Sequence, residues 1–272
     1  MIEQYATLLE SVRRQKPLIH HITNYVTVND CANITLAIGA SPIMADALEE
    51  AADIAKISTA LVLNMGTLNE RTVLSMIAAG KTANESGIPI VLDPVGAGAS
   101  KFRNDTAAQL LDEIKISVLR GNISEIRFLA GLQSETKGVD ASDDDIKNIE
   151  DAITVARALA SRQGCVTVIT GAVDVVTDGN KVICIENGTP MLSNITGTGC
   201  MCTSLIGSFC GANQDMLLEA SAAALFSMGI AGEIAQELAE SEGNGSFRIA
   251  LHNAISRMDD NMFRGRARFY EA

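Results

Sequence analysis

The sequence predicts an α/β fold in which a mainly parallel central sheet carries helices on both faces and an antiparallel hairpin at one edge. Short β-branched runs alternate with longer helical patterns, which is typical of a parallel sheet wrapped by helices. Later, two runs of alternating apolar and polar residues meet at Asp178-Gly179-Asn180, a strong signal for a hairpin turn. The pattern contains no internal repeat and no linker, so we expect residues 1–272 to form a single domain.

Four apolar runs are the predicted strands of the parallel part, and each ends in a polar loop. They are Ala60–Gly66, Ile88–Gly96, Ser117–Asn122 and Cys165–Gly171. In an open α/β sheet, ligands bind beyond the carboxyl ends of the strands. We therefore expect one crevice at these ends, lined by Asn64, Asp93, Arg120, Asn122 and Thr170.

The last third of the chain, from Thr198 onward, is predicted to be mostly helical. The stretch from Leu217 to Glu240 is rich in alanine and has no charged residue between Glu219 and Glu233. A helix that is apolar on all sides belongs inside a protein. We therefore expect this helix to be buried on most of its surface.

Charge and composition exclude several classes of partner. The net charge is −12, from 21 basic and 33 acidic residues, so a nucleic acid backbone would be repelled. The basic group Arg264, Arg266 and Arg268 is expected to be a solvated tail. The first fifteen residues include acids and no apolar run, and the uncharged residues 187–214 are interrupted too often for a membrane span. We expect a cytoplasmic protein without membrane contact, whose six cysteines stay reduced.

A loop-to-helix junction carries the sequence Thr196-Gly197-Thr198-Gly199-Cys200. Glycines before a helix leave backbone N–H groups free, and the positive end of the helix dipole adds roughly half a charge. Such a junction can stabilise a phosphoryl group during transfer. A Gly-x-Gly pattern alone is weak evidence, and a purely structural turn is the alternative.

Two acids and one cation at the strand tips support the phosphate interpretation. Different strands deliver Asp93 and Glu125, and magnesium is commonly held by one or two carboxylates together with nucleotide phosphates. Arg120 can pair with phosphate oxygens, and Thr170-Gly171 ends a further strand where a nucleotide could rest. Taken singly, an exposed helix acid and a surface cation are the simpler interpretations of Glu125 and Arg120.

An uncharged surface is predicted near the start of the chain. Between Pro17 and Ala45 the only formal charge is Asp30, although the stretch is rich in Asn, Thr and His. This composition suits a neutral organic ligand or a subunit interface. A buried first strand and helix is the alternative explanation.

Several residues that resemble metal sites have simpler explanations. The acidic stretch Asp140–Asp151 lacks the spaced ligands and central glycine of a calcium loop, and a helix N-terminus accounts for it better. The pairs His20-His21 and Cys200/Cys202 lack the spacing of a zinc site. The remaining cysteines lie in apolar runs and are expected to be small core residues: Cys31, Cys165, Cys184 and Cys210.

These segments together resemble hydroxyethylthiazole kinases, which belong to the ribokinase-like superfamily. The matching segments are HHITNYVTVNDCAN, GASPIMA, LNMGT, LDPVGAG, RGNISE, VITG, NITGTGC and GSF, and they span nearly the whole chain in order. The resemblance implies phosphorylation, by ATP and magnesium, of the primary alcohol of 4-methyl-5-(2-hydroxyethyl)thiazole in thiamine salvage. It also implies a homotrimer with active sites between neighbouring subunits.

The resemblance further implies a role for individual residues. It assigns Asn24, Val26, Met44 and Gly197 to the thiazole pocket, although core packing is the alternative for Met44. ATP is assigned to Arg120, Asn122, Thr170 and Gly171. Magnesium and the phosphates are assigned to Asp93 and Glu125.

Cys200 occupies a position that in the wider superfamily is commonly an aspartate accepting the proton of the substrate hydroxyl. The reference pKa of a thiol, about 8.5, falls at a helix N-terminus but rises again beside a triphosphate. Because phosphoryl transfer needs little removal of the hydroxyl proton, alignment and charge stabilisation dominate. We expect Gly197, Thr198 and Gly199 to form the anion hole, while Cys200 shapes the pocket and contacts the hydroxyl.

Two alternatives to a thiazole kinase remain open from the sequence. One is another enzyme of the same fold, such as a vitamin or pyrimidine kinase or a nucleotide-dependent hydro-lyase. The other is a nucleotide-binding sensor without catalytic activity. The acids Asp93 and Glu125 argue against a sensor, and the HHITNYVTVNDCAN segment argues against a hydroxymethylpyrimidine kinase.

Overall fold

A single nine-stranded sheet organises the protein, whose computed structural model describes residues 2–132, 149–239 and 241–272. The strands lie in the order β2-β1-β3-β4-β5-β6-β7-β8-β9. Their bounds are β1 (Leu18–Ile22), β2 (Ser41–Met44), β3 (Ala60–Asn64), β4 (Ile90–Asp93), β5 (Val118–Asn122), β6 (Val166–Thr170), β7 (Asp174–Thr177), β8 (Val182–Ile185) and β9 (Phe269–Glu271). The six strands from β2 to β6 are parallel, and β7, β8 and β9 add an antiparallel edge.

Eleven α-helices are found in the described residues. Their bounds are α1 (Ile2–Gln15), α2 (Val28–Ile38), α3 (Leu48–Ile57), α4 (Glu70–Glu85), α5 (Lys101–Glu113), α6 (Ile123–Leu129), α7 (Ile149–Gln163), α8 (Thr198–Ala212), α9 (Leu217–Ala239), α10 (Asn244–Arg257) and α11 (Asp260–Arg266). A 3₁₀ turn, Pro190–Asn194, precedes α8.

Two hydrophobic cores lie on opposite faces of the sheet. Successive residues of a strand point to opposite faces, so β3 contributes Val62 to one core and Leu61 and Leu63 to the other. The first core joins the sheet to α1, α2, α8, α9, α10 and α11, and the second joins it to α3 through α7. The predicted α/β architecture, with helices on both faces, is confirmed.

Helix α8 lies close against the sheet because glycines face the strands. A Cβ atom on Gly207 would lie 2.5 Å from Cγ2 of Val62, and one on Gly211 would lie 3.0 Å from Cδ1 of Ile19. Larger side chains at these positions would push the helix away from the sheet. The close approach brings the start of α8 to the carboxyl ends of the strands.

Helix α9 is buried, as its uncharged sequence predicts. By length and composition it could cross a membrane, but 78% of its most apolar 18-residue window is buried inside the protein. It packs beside α8 and α10 in the first core. Its hydrophobicity is therefore explained by its place in the fold.

The hairpin prediction is confirmed, and the turn shows why. Oδ1 of Asp178 accepts hydrogen bonds from the backbone N–H groups of Asn180 and Lys181, both at 2.8 Å. Gly179 has a φ of +98°, a conformation that glycine adopts readily. These contacts join β7 to β8.

The prediction of a tail is wrong, although the arginines in this segment remain partly solvated. Strand β9 pairs with β8, and the side chains of the three arginines before it are 44%, 36% and 51% exposed. They form ion pairs with carboxylates of α1, α9 and α11: Arg264 with Glu3 and Asp260, Arg266 with Glu237, and Arg268 with Glu233. An acidic chain offers such partners on many helices, and charge counting alone does not reveal them.

Two further predictions have different outcomes. The segment from Pro17 to Ala45 contains strands β1 and β2 and helix α2, so the alternative of a buried first strand and helix applies to much of it. The acidic stretch Asp140–Asp151 lies largely outside the described residues. Of that stretch, only residues 149–151 are described, at the start of α7.

Candidate active site

The carboxyl ends of the parallel strands β3 to β6 lie side by side and form one edge of the sheet, which runs across the strands. In the register, Asn64 lies opposite Asp93, and Asn122 lies opposite Thr170. Arg120 of β5 reaches toward both neighbouring strands. The structure therefore brings together the five residues that the sequence nominated for one crevice.

Asp93 is a fully buried carboxylate at the centre of this edge. Its Oδ2 accepts hydrogen bonds from Asn64 Nδ2 at 3.0 Å, Thr203 Oγ1 at 2.7 Å and Arg120 Nη1 at 3.4 Å. Its Oδ1 is buried and has no hydrogen-bond partner among the described residues. Burial raises the pKa of Asp93, and the guanidinium of Arg120 partly opposes that shift.

Arg120 links Asp93 to the next strand and to α8. Its Nη2 donates to Oγ1 of Thr170 at 2.6 Å, while its buried Nε has no partner in the described part of the chain. A Cβ atom on Gly199 would lie only 2.8 Å from Nη1. The second residue of α8 therefore packs directly against the guanidinium, as only glycine can at that distance.

The first turn of α8 presents free backbone amides beside this ion pair. The first hydrogen bond of the helix runs from Met201 N–H to the Gly197 carbonyl at 2.8 Å, so the amides of residues 198–200 precede it. No side chain of the described residues caps this end. Gly197 has a φ of +89°, and a Cβ atom there would lie 2.6 Å from Cγ2 of Thr27. The loop-to-helix junction predicted from the sequence is confirmed.

Cys200 receives two amide hydrogen bonds. Nδ2 of Asn24 and Nδ2 of Asn64 each lie 3.3 Å from its Sγ. Burial raises the pKa of the Cys200 thiol, and the charge of Asp93 adds to the shift. Hydrogen bonds from Thr27 and Asn24 and the charge of Arg120 act in the opposite direction.

The other cysteines behave as predicted. All six lie in the described residues, and Cys200 alone is not buried. The four predicted core cysteines are buried, and Cys202 is buried as well. Four of these thiols are packed in the two cores, whereas Cys31 lies next to Thr27, with its sulfur 3.7 Å from the Thr27 hydroxyl.

Glu125 is buried, so its interpretation as an exposed helix acid is wrong. Its Oε2 accepts from the backbone N–H of Asn122 at 2.9 Å, and the Asn122 side chain accepts from Glu125 N–H at 2.9 Å, which forms a capping box. Its Oε1 accepts from Gly96 N–H at 2.8 Å. Burial raises the pKa of Glu125 to about 7. The carboxylate therefore joins the start of α6 to the loop that follows β4.

The residues assigned to the thiazole lie in different surroundings. Asn24 is buried, and its Oδ1 accepts from the N–H and the hydroxyl of Thr27, both at 3.0 Å. Met44 is partly buried at the end of β2, and Val26 is 57% exposed. Gly197 packs against Thr27, so it lies next to the Asn24 loop. The hydrogen bonds tie Asn24 to Cys200, whereas Val26 stands at the surface.

Three polar residues at the site were not recognised in the sequence. Thr203 donates to Asp93, and its place one turn after Gly199 on the same helix face was the available signal. Arg103 donates through Nη1 to the carbonyls of Met65 and Val95, both at 2.5 Å, and so joins the loops after β3 and β4. Nothing in its local sequence marks it. Thr27 was inside a recognised segment but was not singled out.

The two adjacent histidines are core residues. Nε2 of His20 lies 2.7 Å from the carbonyl of Ala45, and Nε2 of His21 lies 3.4 Å from Oγ1 of Thr35. Burial lowers the pKa of both rings, that of His21 to about 3. Within the described ranges, no three His, Cys, Asp or Glu side chains are grouped so that they could hold a metal ion.

Solved structures of low sequence identity share the fold of this chain. The pyridoxal kinase from Staphylococcus aureus in complex with ADP has a TM-score of 0.57 and 16% identity, over 80% of this chain and 88% of that chain. At that identity the similarity concerns the fold alone. The sheet order and the strand-tip site define a ribokinase-like α/β protein, which confirms the predicted fold class.

Closer relatives give the family. A hydroxyethylthiazole kinase of Ruminiclostridium cellulolyticum is 61% identical over 269 residues, which cover 99% of this chain and 98% of the relative. The structure of a hydroxyethylthiazole kinase protein from Pyrococcus horikoshii has a TM-score of 0.90 and 38% identity, over 99% of both chains. The sequence profile of the Hydroxyethylthiazole kinase family matches residues 9–261. The chain belongs to the Hydroxyethylthiazole kinase family, as its sequence segments predict.

Proposed function

We propose that the protein transfers the terminal phosphoryl group of ATP to the primary alcohol of 4-methyl-5-(2-hydroxyethyl)thiazole. The observation that carries this proposal is the contact between Asp93, Arg120 and the first two turns of α8. Thr203 of α8 donates to Asp93 at 2.7 Å, and Gly199 packs on the Arg120 guanidinium. A carboxylate, a cation and free amides therefore surround one small region, which is the environment that phosphoryl transfer requires.

The nucleotide phosphates are assigned to Arg120 and the neighbouring strand ends. Arg120 has a buried Nε without a partner in the described residues, so it retains a donor for a phosphate oxygen. Thr170 holds the guanidinium in place, and Asn122 and Gly171 line the same edge. The amides of α8 then face the oxygens on which negative charge develops during transfer.

Magnesium is assigned to the acids, whose donor atoms fit this ion. Oδ1 of Asp93 is a hard oxygen without a hydrogen-bond partner among the described residues. Each oxygen of Glu125 accepts one backbone amide and keeps further acceptor capacity. One or two carboxylates with water and phosphate oxygens are the usual magnesium ligands. The ion would neutralise phosphate charge, while Glu125 also fixes the loop after β4.

The acceptor alcohol is assigned to the Cys200 side of the crevice. Because burial raises the pKa of Cys200, its sulfur keeps its proton and acts as a thiol near the substrate hydroxyl. This suits a loose transition state, in which the hydroxyl proton leaves late. Asn24 supplies a polar anchor, and Val26 and Met44 supply apolar contact for the ring.

We also propose that the protein is cytoplasmic and that it forms a homotrimer, in which each active site lies between neighbouring subunits. The support is an exposed apolar pair beside Asn24: Tyr25 is 78% exposed and Val26 is 57% exposed. A neighbouring subunit that covers this pair would close the thiazole side of the pocket. Sedimentation should give a trimer, and a fully active monomer would refute the shared site.

The direct test is an alcohol panel with magnesium and ATP. The purified protein is incubated with hydroxyethylthiazole, hydroxymethylpyrimidine, pyridoxal or ribose, and the phosphorylated product is quantified by mass spectrometry. We expect preferred turnover of the thiazole. The Asp93→Asn variant, prepared in the same way, should lose this turnover and so exclude a contaminating kinase. Preferred turnover of any other alcohol would reverse the assignment.

A further inference from the structure

Asn64 makes four hydrogen bonds at the point where β3 ends, and it is 1% exposed. Its Nδ2 donates to Cys200 Sγ at 3.3 Å and to Asp93 Oδ2 at 3.0 Å. Its Oδ1 accepts from Asn24 Nδ2 at 3.0 Å and from Gly66 N–H at 2.9 Å. Both donors and both acceptor positions of the amide are therefore used.

Backbone amides fix which way the side-chain amides point. A backbone N–H can only donate, so the Asn64 atom that faces Gly66 is Oδ1, and Nδ2 faces the sulfur of Cys200. In the same way, Thr27 N–H fixes Oδ1 of Asn24 at 3.0 Å and turns Nδ2 of Asn24 toward that sulfur. The sulfur thus receives two N–H groups whose orientation is set by the main chain.

We propose that Asn64 is a positioning residue for phosphoryl transfer, which holds the Cys200 thiol and the Asp93 carboxylate at a fixed separation. This inference rests on the proposed kinase function, because the thiol lies on the acceptor side and the carboxylate on the phosphate side. Transfer needs both sides held to within about half an ångström. One buried amide with all its hydrogen bonds made supplies that constraint.

The proposal also concerns the protonation of Cys200. The charged and titratable groups around the sulfur are Asp93 from β4, Arg120 from β5 and the buried Cys31 from α2. An N–H group donated to sulfur favours the thiolate. Removing the Asn64 donor therefore raises the pKa of Cys200 further and releases the sulfur from one of its two contacts.

The experiment compares Asn64→Ala with the wild-type protein by two measurements. In the kinase assay, we expect kcat to fall about 10- to 100-fold, with smaller changes in KM for ATP and thiazole. Iodoacetamide then labels Cys200 across a pH series, without magnesium or nucleotide, since the other five cysteines are buried. We expect the pH midpoint of labelling to rise by about one unit, as for one lost charge-stabilising hydrogen bond.

Asn187→Ala is the matched control. Asn187 is also a buried asparagine whose amide is fixed by the main chain, and its partners are Arg268 N–H at 2.8 Å, Arg266 carbonyl at 2.8 Å and Glu233 at 3.0 Å. We expect this variant to lose stability but to keep the wild-type kcat and labelling midpoint. Equal changes in both measurements for Asn187→Ala and Asn64→Ala would overturn the proposal.

Further outcomes separate this inference from the proposed function. If Asn64→Ala does not fold, Asn64→Ser keeps one donor and should give intermediate values of kcat and midpoint. Wild-type values in either folded variant would overturn the positioning role. If the wild-type protein shows no thiazole turnover, the proposed function fails. A raised labelling midpoint in the variant would still support the contact between Asn64 and Cys200.

Discussion

Asp93 and Glu125 carry the same functional group, but their surroundings give them different tasks. One buried oxygen of Asp93 has no hydrogen-bond partner in the described residues, whereas both oxygens of Glu125 accept hydrogen bonds from backbone N–H groups. Asp93 therefore has a site free for a ligand, and Glu125 first of all stabilises the loop and helix around it. The sequence nominated both acids and could not distinguish these roles, because they depend on amides from other elements.

Cys200 provides a test at the level of one side chain. We expect Cys200→Ala to keep measurable turnover, because alignment and charge stabilisation supply most of the rate. Cys200→Asp should gain turnover, because a carboxylate accepts the hydroxyl proton more readily than a buried thiol does. General-base catalysis, where it is used, is worth about 10²- to 10⁴-fold. The measurement is kcat for the thiazole with magnesium and ATP. A fall to background in the alanine variant would contradict the account.

The control for this pair is Cys210→Ala. Cys210 lies near the end of α8 and is buried in the first core, where its sulfur is 4.0 Å from Oγ of Ser221. Its substitution removes a thiol of the same helix far from the first turn, where Cys200 lies. We expect a lower melting temperature and an unchanged kcat, so that a general effect of losing a core thiol can be subtracted.

Single residues of the site could be predicted where they end a strand or where they lie at the glycine-rich start of α8. Asn64, Asp93 and Thr170 are polar residues directly after apolar runs, and that pattern identifies the carboxyl end of a parallel strand. Arg103 and Thr203 reach the site from helix faces. Their roles depend on how α5 and α8 pack, which local sequence does not specify.

At the scale of elements, the approach of α8 to β5 decides the site. Gly199 lies in the first turn of α8, and a Cβ atom there would lie 2.8 Å from Arg120 Nη1. Because Asp93 and Thr170 accept hydrogen bonds from this guanidinium, it cannot move away from such a Cβ atom without losing one of these hydrogen bonds. The glycine is therefore a requirement of the site and not of the helix.

Gly199→Ala should lower activity without a gain in stability. Alanine is favoured over glycine in a helix by about 1 kcal/mol, but the buried contacts that Arg120 must give up cost more than that, so the melting temperature should not rise. Displacing Arg120 should lower kcat/KM for ATP by about 10- to 100-fold, the effect of losing one charge-assisted hydrogen bond. The measurements are steady-state kinetics and thermal unfolding.

Gly245→Ala is the control for helix propensity. Gly245 lies in the first turn of α10, and a Cβ atom there would meet no atom of the described residues within 4 Å beyond its own neighbours. We expect a higher melting temperature with unaltered kinetics, because alanine there gains helix propensity without displacing another residue. Full activity of Gly199→Ala would show that the guanidinium can move without loss, contrary to the account.

Elements differed in how well the sequence predicted them. The strands β3 to β6 are buried on both faces and appear as continuous apolar runs with loop residues after them. Strands β1 and β2 carry two histidines and a proline, and β9 lies in a basic segment, so none of the three has that pattern. These strands form because neighbouring strands supply their hydrogen bonds, which is a tertiary effect.

At the scale of the whole molecule, buried titratable groups act on stability in opposite directions. The pKa of His21 is lowered to about 3, so protonation of the unfolded chain destabilises the fold as pH decreases below about 6.5. The pKa of Glu125 is raised to about 7, so its ionisation destabilises the fold as pH rises from about 4.3 toward 7. Burial also lowers the pKa of His20 and raises the pKa values of Asp93 and Asp174, so the total pH dependence includes these groups as well.

His21→Gln isolates one of these contributions. Since Glu125 is the same in both proteins, its effect cancels in the difference between wild type and variant. That difference in unfolding free energy should decrease by about 2 kcal/mol between pH 7.5 and pH 5, because only the wild type must keep the buried imidazole of His21 neutral, while His20 is present in both proteins. Urea unfolding at the two pH values measures it. A difference that stays constant would show that His21 is protonated in the folded protein.

The α/β architecture followed from the alternation of apolar runs and helical patterns, whereas the position of the last segment did not. Net charge suggested solvated arginines, but Arg266 and Arg268 pair with glutamates of α9. Such pairs join residues far apart in sequence. They become visible only when the sheet and both helical layers are assembled.

The most direct test is a crystal structure with magnesium and a non-hydrolysable ATP analogue. We expect the terminal phosphate to lie between the amides of residues 198–200 and the Asp93 side of the sheet, with Arg120 donating to its oxygens. A terminal phosphate bound elsewhere, away from the first turn of α8, would contradict the assignment of this edge as the site of transfer.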